Sequence, residues 1–316
     1  MSFEISHLII CPQCHNPLPA CSKWPEEGLK CQGCHSSYQT VRGVPRFVRN
    51  GNYGDSFGFE WNRHRFTQLD TDSSDESAST FQRKTGLGPE DVKGKLVLDV
   101  GCGMGRFADV VSRWGGNVVA FDLSNAVEAA YQNLGHRDNV VILQADVFEM
   151  PFQEESFDII YSIGVLHHTP DCEKAFAQLP RFLKPNGKIA IWVYGPHSTK
   201  RLASLYRRLT VRMPHRLLHA LCYLSIPMYP IYKIPLLGDF LWILLPMSRH
   251  PKPAWRVLNT FDWYSPKYQS MHTYPEVYRW FRSSGLTDIE LLNIPVAVSG
   301  VRPSSHHVRP SISHQL

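Results

Sequence analysis

The sequence predicts an α/β fold: an open parallel sheet with helices on both faces, preceded by a small metal-bound ribbon and interrupted by a helical insertion. Three observations carry that prediction. Between residues 95 and 195, short apolar runs that mostly end in acidic residues alternate with helical stretches, the pattern of repeated βαβ units. A glycine-rich turn, Gly101-Cys102-Gly103-Met104-Gly105, follows the first run. Near the start, two Cys-x-x-Cys pairs, Cys11 with Cys14 and Cys31 with Cys34, are separated by sixteen residues.

The ribbon is expected over residues 1–49. Its cysteine spacing falls in the range read as a zinc site. Four thiolates would complete a closed tetrahedral shell, so Zn²⁺ would be structural, with no open position for catalytic water. Metal binding would supply much of the folding free energy that so short a module lacks, and loss of Cys31 is expected to unfold this front module alone. Cys21 reads as an unpaired thiol, and His15 and His35 as surface residues. Eight cysteines in a chain whose first residues show no secretory leader point to a reducing, cytoplasmic setting.

Residues 50–94 read as a connector and cap, in which Phe57, Phe59, Trp61 and Phe66 pack on the main domain. The core then occupies residues 95–195. Leu96 to Val100 is a buried strand ending at the glycine turn, where glycine permits close approach of backbone to a ligand. Asn117 to Asp122 is a second strand ending in an acid placed to accept hydrogen bonds from ribose hydroxyls. Val140 to Asp146 is a third, and Phe157 to Ser162 a fourth. Ligands of open α/β sheets bind outside such carboxyl ends, so these residues converge on one crevice.

The glycine spacing G-x-G-x-G departs from the dinucleotide pattern, whose last glycine would fall at Arg106. It resembles motif I of the class I S-adenosylmethionine-dependent methyltransferases, and the run Gly164-Val165-Leu166-His167-His168 resembles the signature of a methyltransferase type 11-like domain. Leu183-Lys184-Pro185-Asn186-Gly187 is similar to that family's turn into its fifth strand, with Asn186 standing where glycine is usual. The resemblance implies a Rossmann-like seven-stranded sheet and S-adenosyl-L-methionine as methyl donor. It assigns the donor site to Asp99, Gly101, Gly103, Gly105, Asp122, Leu123, Asp146, Val147 and Ser162. Asp122 would take the ribose, Asp146 and Val147 the adenine, and Gly101 and Gly103 the methionine part. Arg63 or Arg65 is an alternative contact for the methionine carboxylate. Residues 9–49 resemble the Trm-like zinc ribbons found before some methyltransferase domains.

His167 and His168 lie just past the fourth strand and are the candidate catalytic bases, with Tyr264, Tyr268 and His272 as further candidates. A structural role for the histidine pair is the plainer alternative.

Residues 196–262 form the insertion. A basic run from Lys200 to Arg216 precedes an apolar stretch over 217–247 that Pro227, Pro230 and Pro235 break into pieces too short to span a bilayer. A lid over the site, a peripheral membrane contact through 200–247 and a dimer contact all fit this stretch. The first two favour a small-molecule or lipid-linked acceptor, with O-methylation the expected reaction. Residues 263–301 supply the last helix and two strands of the core, and 302–316 a disordered tail.

The net charge of +5 is too small to imply nucleic acid by itself. An rRNA base methyltransferase that reads RNA through the ribbon is therefore the second reading. A non-catalytic adaptor on the same fold is the third.

Overall fold

The computed structural model describes residues 5–19, 24–48, 52–71, 75–196 and 200–304. Cys21 and the tail beyond residue 304 lie outside the described residues.

The front module is built from two short hairpins. β1 (Leu29–Lys30) pairs with β2 (Ser37–Tyr38), and β3 (Thr40–Val41) with β4 (Val44–Pro45). A connector follows with α1 (Asp55–Arg63), α2 (Glu76–Thr85) and α3 (Pro89–Val92). The alternating core then runs β5 (Leu96–Val100), α4 (Arg106–Arg113), β6 (Asn117–Asp122), α5 (Val127–Leu134), β7 (Val140–Gln144), β8 (Phe157–Ile163), α6 (Cys172–Ala177) and β9 (Leu183–Trp192). Five helices make the insertion: α7 (Lys200–Thr210), α8 (His215–Cys222), α9 (Ser225–Ile231), α10 (Leu237–Leu244) and α11 (Pro253–Tyr264). The chain returns through α12 (Tyr274–Ser283), β10 (Thr287–Leu291) and β11 (Ala297–Val301).

The seven-stranded sheet has the order β10-β11-β9-β8-β5-β6-β7. Its five strands from β9 to β7 are parallel, and β11 and β10 add on in antiparallel fashion, so the sheet is mixed. Period-two alternation divides each strand between two buried faces. Val97, Val118, Ala120 and Ile142 face α2, α4 and α5, whereas Leu98, Val119, Phe121 and Ile191 face α6 and α12. Asn186 takes φ 63°, the left-handed conformation that asparagine tolerates better than most residues. The register shifts here as β9 leaves its first pairing with β8.

Because β5 has β6 on one side and β8 on the other, the strand order reverses at β5. This is the switch point at which open sheets leave a crevice, and the glycine turn stands on it.

Two sequence expectations are corrected here. The ribbon is not an independent module: Ile5, Ile9, Cys11, Leu29, Cys31 and Phe47 share one buried cluster with Leu143, Val147 and Phe152 of the main domain. Backbone bonds join the two as well, from Ile10 N to Pro151 O at 3.0 Å and from Phe47 N to Gln144 O at 2.7 Å. Too few apolar side chains exist in so short a segment to close a core without borrowing the sheet's edge. Nor is Arg302 the start of a disordered tail. Its N–H donates to Gly187 O, and its guanidinium binds the Arg181 and Leu183 carbonyls and the Glu155 carboxylate.

Candidate functional site

A cavity of about 770 Å³ opens at the carboxyl ends of the strands. Its near end is the glycine turn. Gly101 has φ 80°, and a Cβ added there would stand 2.3 Å from a Val165 methyl group, so both conformation and space demand glycine. Gly103 (φ 55°) faces the Trp61 indole, whose Nε1 would lie 3.1 Å from a Cβ at that position. Gly105 lies off the wall and instead begins α4, packed against Leu134.

Asp122 ends β6 on the cavity wall. Its Oδ2 accepts from Gly103 N–H at 3.0 Å, and its Oδ1 accepts from the Ser124 N–H at 2.8 Å and hydroxyl at 2.7 Å. Burial nonetheless holds its carboxyl above the usual range. Leu123, Ala145 and Val147 continue the same wall. Asp146 stands just behind it, accepting from Phe148 N–H at 3.0 Å. Asp99 lies beneath the turn, 2% exposed, with its carboxyl pushed up to about 7 by burial. Ser162 is also displaced from the wall: fully buried, it donates to Val100 O at 3.1 Å and ties β8 to β5.

The histidine pair divides. His168 is on the cavity wall, its Nδ1 2.9 Å from Tyr268 O. His167 is fully buried, off the cavity wall, and stacks on Tyr194 with ring centroids 3.9 Å apart. Consecutive residues in a 3-10 turn over Leu166–His168 must point in different directions. Tyr264 and His272 lie away from the cavity, bonded to Pro246 O and to the Ser270 hydroxyl. Arg63 and Arg65 are off the wall, and Arg65 binds Gln132. Arg106 and Arg207 are the arginines on the wall, Arg106 fixed by the Ser77 hydroxyl at 2.9 Å and Gln68 at 3.2 Å.

The connector and insertion close the far side. α1 is seated by Asn52 on Leu123 O at 3.0 Å and Asn62 on Asn125 O at 2.9 Å, and contributes Phe57, Glu60 and Trp61 to the wall. Arg207, Trp242, Trp255, Asp262 and Trp263 come from the insertion, and Trp192 and Tyr194 from the end of β9. Lys84 of α2 lies over the Trp192 ring at 3.3 Å, and burial brings its ammonium down to about 7. Sequence reasoning missed Glu60, Lys84, Tyr194, Arg207 and Asp262. No spacing rule joins positions so far apart.

The second candidate centre is the ribbon's cysteine cluster. The Sγ atoms of Cys11, Cys14, Cys31 and Cys34 all lie within 4.8 Å of one another. Tetrahedral zinc with Zn–S bonds of about 2.3 Å puts its sulfurs about 3.8 Å apart, so the donor set fits the metal in both number and spacing. Each pair sits on the same turn: His15 N–H bonds Cys11 O, and His35 N–H bonds Cys31 O. Both histidines take positive φ and are exposed, leaving the four sulfurs as the ligands at hand.

The sheet order and the turn at its switch point define a class of α/β domain that holds a small cofactor at its strand ends. Residues 98–191 match the family described as "Methyltransferase domain". Its relatives include the Sterol 4-C-methyltransferase strm-1 of Caenorhabditis elegans, 32% identical over 30% of this chain and 30% of the relative. Another is the Sterol 24-C-methyltransferase of Pneumocystis carinii, 38% identical over 31% of this chain and 27% of the relative. The chain thus matches less than a third of the length of these relatives. Among solved structures, Haemonchus contortus Phosphoethanolamine N-methyltransferase 2 in complex with S-adenosyl-L-methionine aligns with a TM-score of 0.43 and 17% identity, over 74% of this chain and 42% of that one.

Proposed function

We propose that the chain is an S-adenosylmethionine-dependent methyltransferase acting on a small-molecule or lipid-linked acceptor. The turn carries this reading: Gly101 and Gly103 at positive φ over the switch point, with Asp122 bonded across to Gly103 at one end of a closed-over cavity. When bound, S-adenosylmethionine supplies a methyl group already activated on sulfonium. Asp122 would offer its remaining acceptor capacity to the ribose hydroxyls, Leu123, Asp146 and Val147 would frame the adenine, and the bare backbone at Gly101 and Gly103 would admit the methionine part. Work left to the chain is orientation and the exclusion of water. Where the nucleophile must lose a proton, His168 is the member of the histidine pair on the wall. Zn²⁺ on the four cysteines is structural in this reading.

Sterols and phosphoethanolamine, named for the relatives, are small molecules, which supports a small-molecule acceptor over RNA. Titration calorimetry with S-adenosylhomocysteine, with NAD as the control, tests the donor. Binding of the former alone is expected; binding of NAD alone, or of neither, refutes the reading.

The insertion adds a peripheral membrane contact to this proposal. Among the described residues, most of the exposed large apolar side chains fall between 205 and 245, including Leu209, Leu236 and Phe240, with Leu236 86% exposed. Arg208, Arg212, Arg216 and Lys233 stand exposed among them. Among the described residues no helix is long and apolar enough to cross a membrane, and this mixture suits an interfacial anchor. Vesicles of phosphatidylglycerol are expected to sediment the protein at low salt. The double variant Leu236→Glu, Phe240→Glu is expected to stay in the supernatant while binding S-adenosylhomocysteine normally. Equal sedimentation of both proteins would remove the membrane from the proposal.

A further inference from the structure

Glu60 lies on α1, on the cavity wall, and is 0% exposed. Neither Oε1 nor Oε2 has a hydrogen-bond partner. A buried carboxyl left in this state is costly, because water is gone and nothing replaces it. The charge acting on it has the same sign: the Asp262 carboxylate, brought by α11 to the same wall and held there by the Tyr194 hydroxyl at 2.8 Å. Burial, reinforced by Asp262, keeps the Glu60 carboxyl well above its ordinary range. Three cations also line the cavity: Arg106 is held by Ser77 and Gln68, while Lys84 and Arg207 both feel the Asp262 carboxylate, and none of the three hydrogen-bonds Glu60. Lys84 rests on Trp192, and Arg207 reaches Gln269.

We propose that Glu60 and Asp262 form the acceptor subsite for a cationic group, an amine carried as ammonium, on the molecule to be methylated. This rests on the reading of the cavity as a methyl-transfer site and leaves open which atom of the acceptor receives the methyl group. An ammonium brings three N–H donors and a positive charge to a spot where both Glu60 oxygens lack partners and the Asp262 carboxylate stands on the same wall. A purely apolar acceptor leaves both Glu60 oxygens without partners, and an anionic one meets two carboxyl groups. The orphaned acid would thus serve selection among acceptors, because the site is satisfied only by the ligand that completes it.

The test uses full-length protein saturated with S-adenosylhomocysteine and three small probes of one shape: butylammonium, 1-butanol and butyrate. Their affinities are read by ligand-observed NMR at millimolar concentrations. Butylammonium is expected to bind at least tenfold more tightly than 1-butanol, with butyrate weakest. Glu60→Gln, which keeps the shape, is expected to bring butylammonium and 1-butanol within about twofold, and Asp262→Asn to narrow the gap in part. Butylammonium that fails to bind, that binds no better than 1-butanol, or that keeps its preference in Glu60→Gln overturns the subsite. Calorimetry with S-adenosylhomocysteine separates the two layers: donor binding without ammonium preference sinks the subsite alone, whereas absent donor binding sinks the methyltransferase reading beneath it.

Discussion

Asp122→Ala is expected to weaken S-adenosylhomocysteine binding by roughly 100-fold or more while leaving the far-ultraviolet circular dichroism unchanged. In the proposed role, the carboxylate makes charge-assisted bonds to the ribose, each worth about 1.5–3 kcal/mol, and each 1.4 kcal/mol is about tenfold in affinity. The side chain also steadies the turn through Gly103 N–H, so the variant removes both a ligand contact and the brace of the loop. Ser124→Ala separates the two. It deletes the hydroxyl bond to Asp122 at 2.7 Å and leaves the carboxylate in place, and its expected cost is no more than about tenfold. Calorimetric titration of both variants decides the matter. Donor affinity unchanged in Asp122→Ala would remove the residue from the donor site.

With the four cysteines holding zinc as proposed, its removal is expected to lower the stability of the whole chain, not of the front module alone. Structural zinc contributes on the order of 10 kcal/mol to the modules it folds. Here Cys11 and Cys31 are fully buried in the cluster that also holds Leu143, Phe152 and Ile191. Loss of even ~4 kcal/mol from that shared core shifts the midpoint of a large domain by roughly 10 °C. Cys31→Ser should therefore release about one zinc per chain to a colorimetric chelator and move a single calorimetric transition downward. Two separate transitions, with the later one unmoved, would show the ribbon to be independent after all. Full metal retention would remove Cys31 from the ligand set.

How much of this was legible in advance depended on whether the signal is local. The strands could be read because each is a short, nearly continuous apolar run, as fits a strand buried on both faces. The turn could be read because Gly101 and Gly103 must be glycine for reasons of φ and space, and the cysteine cluster because each Cys-x-x-Cys pair sits on one tight turn. The adjacent histidines defeated sequence reasoning, since which of His167 and His168 faces the cavity is set by a 3-10 turn and by Tyr194 beneath it. Glu60, Tyr194 and Asp262 were invisible for another reason. Each reads as an ordinary polar residue on its own element, and only the docking of α1 and α11 across the strand ends brings them together. Arg302 shows the same limit in reverse: a segment of polar composition is held by bonds to carbonyls that no local pattern discloses.

The pairing of Phe47 with Gln144, and of the Arg46 guanidinium with the Gln144 side chain at 3.0 Å, falls on β7, the outermost strand on that side of the sheet. An outermost strand presents unpaired backbone groups to any other chain that meets it. The ribbon thus bolts down the Gln144 end of an otherwise open edge. A chain trimmed to begin near residue 50 would keep every residue of the proposed donor pocket and yet offer β7 to its neighbours. The practical price of discarding the ribbon would then appear in the pellet, before any question of catalysis could be asked.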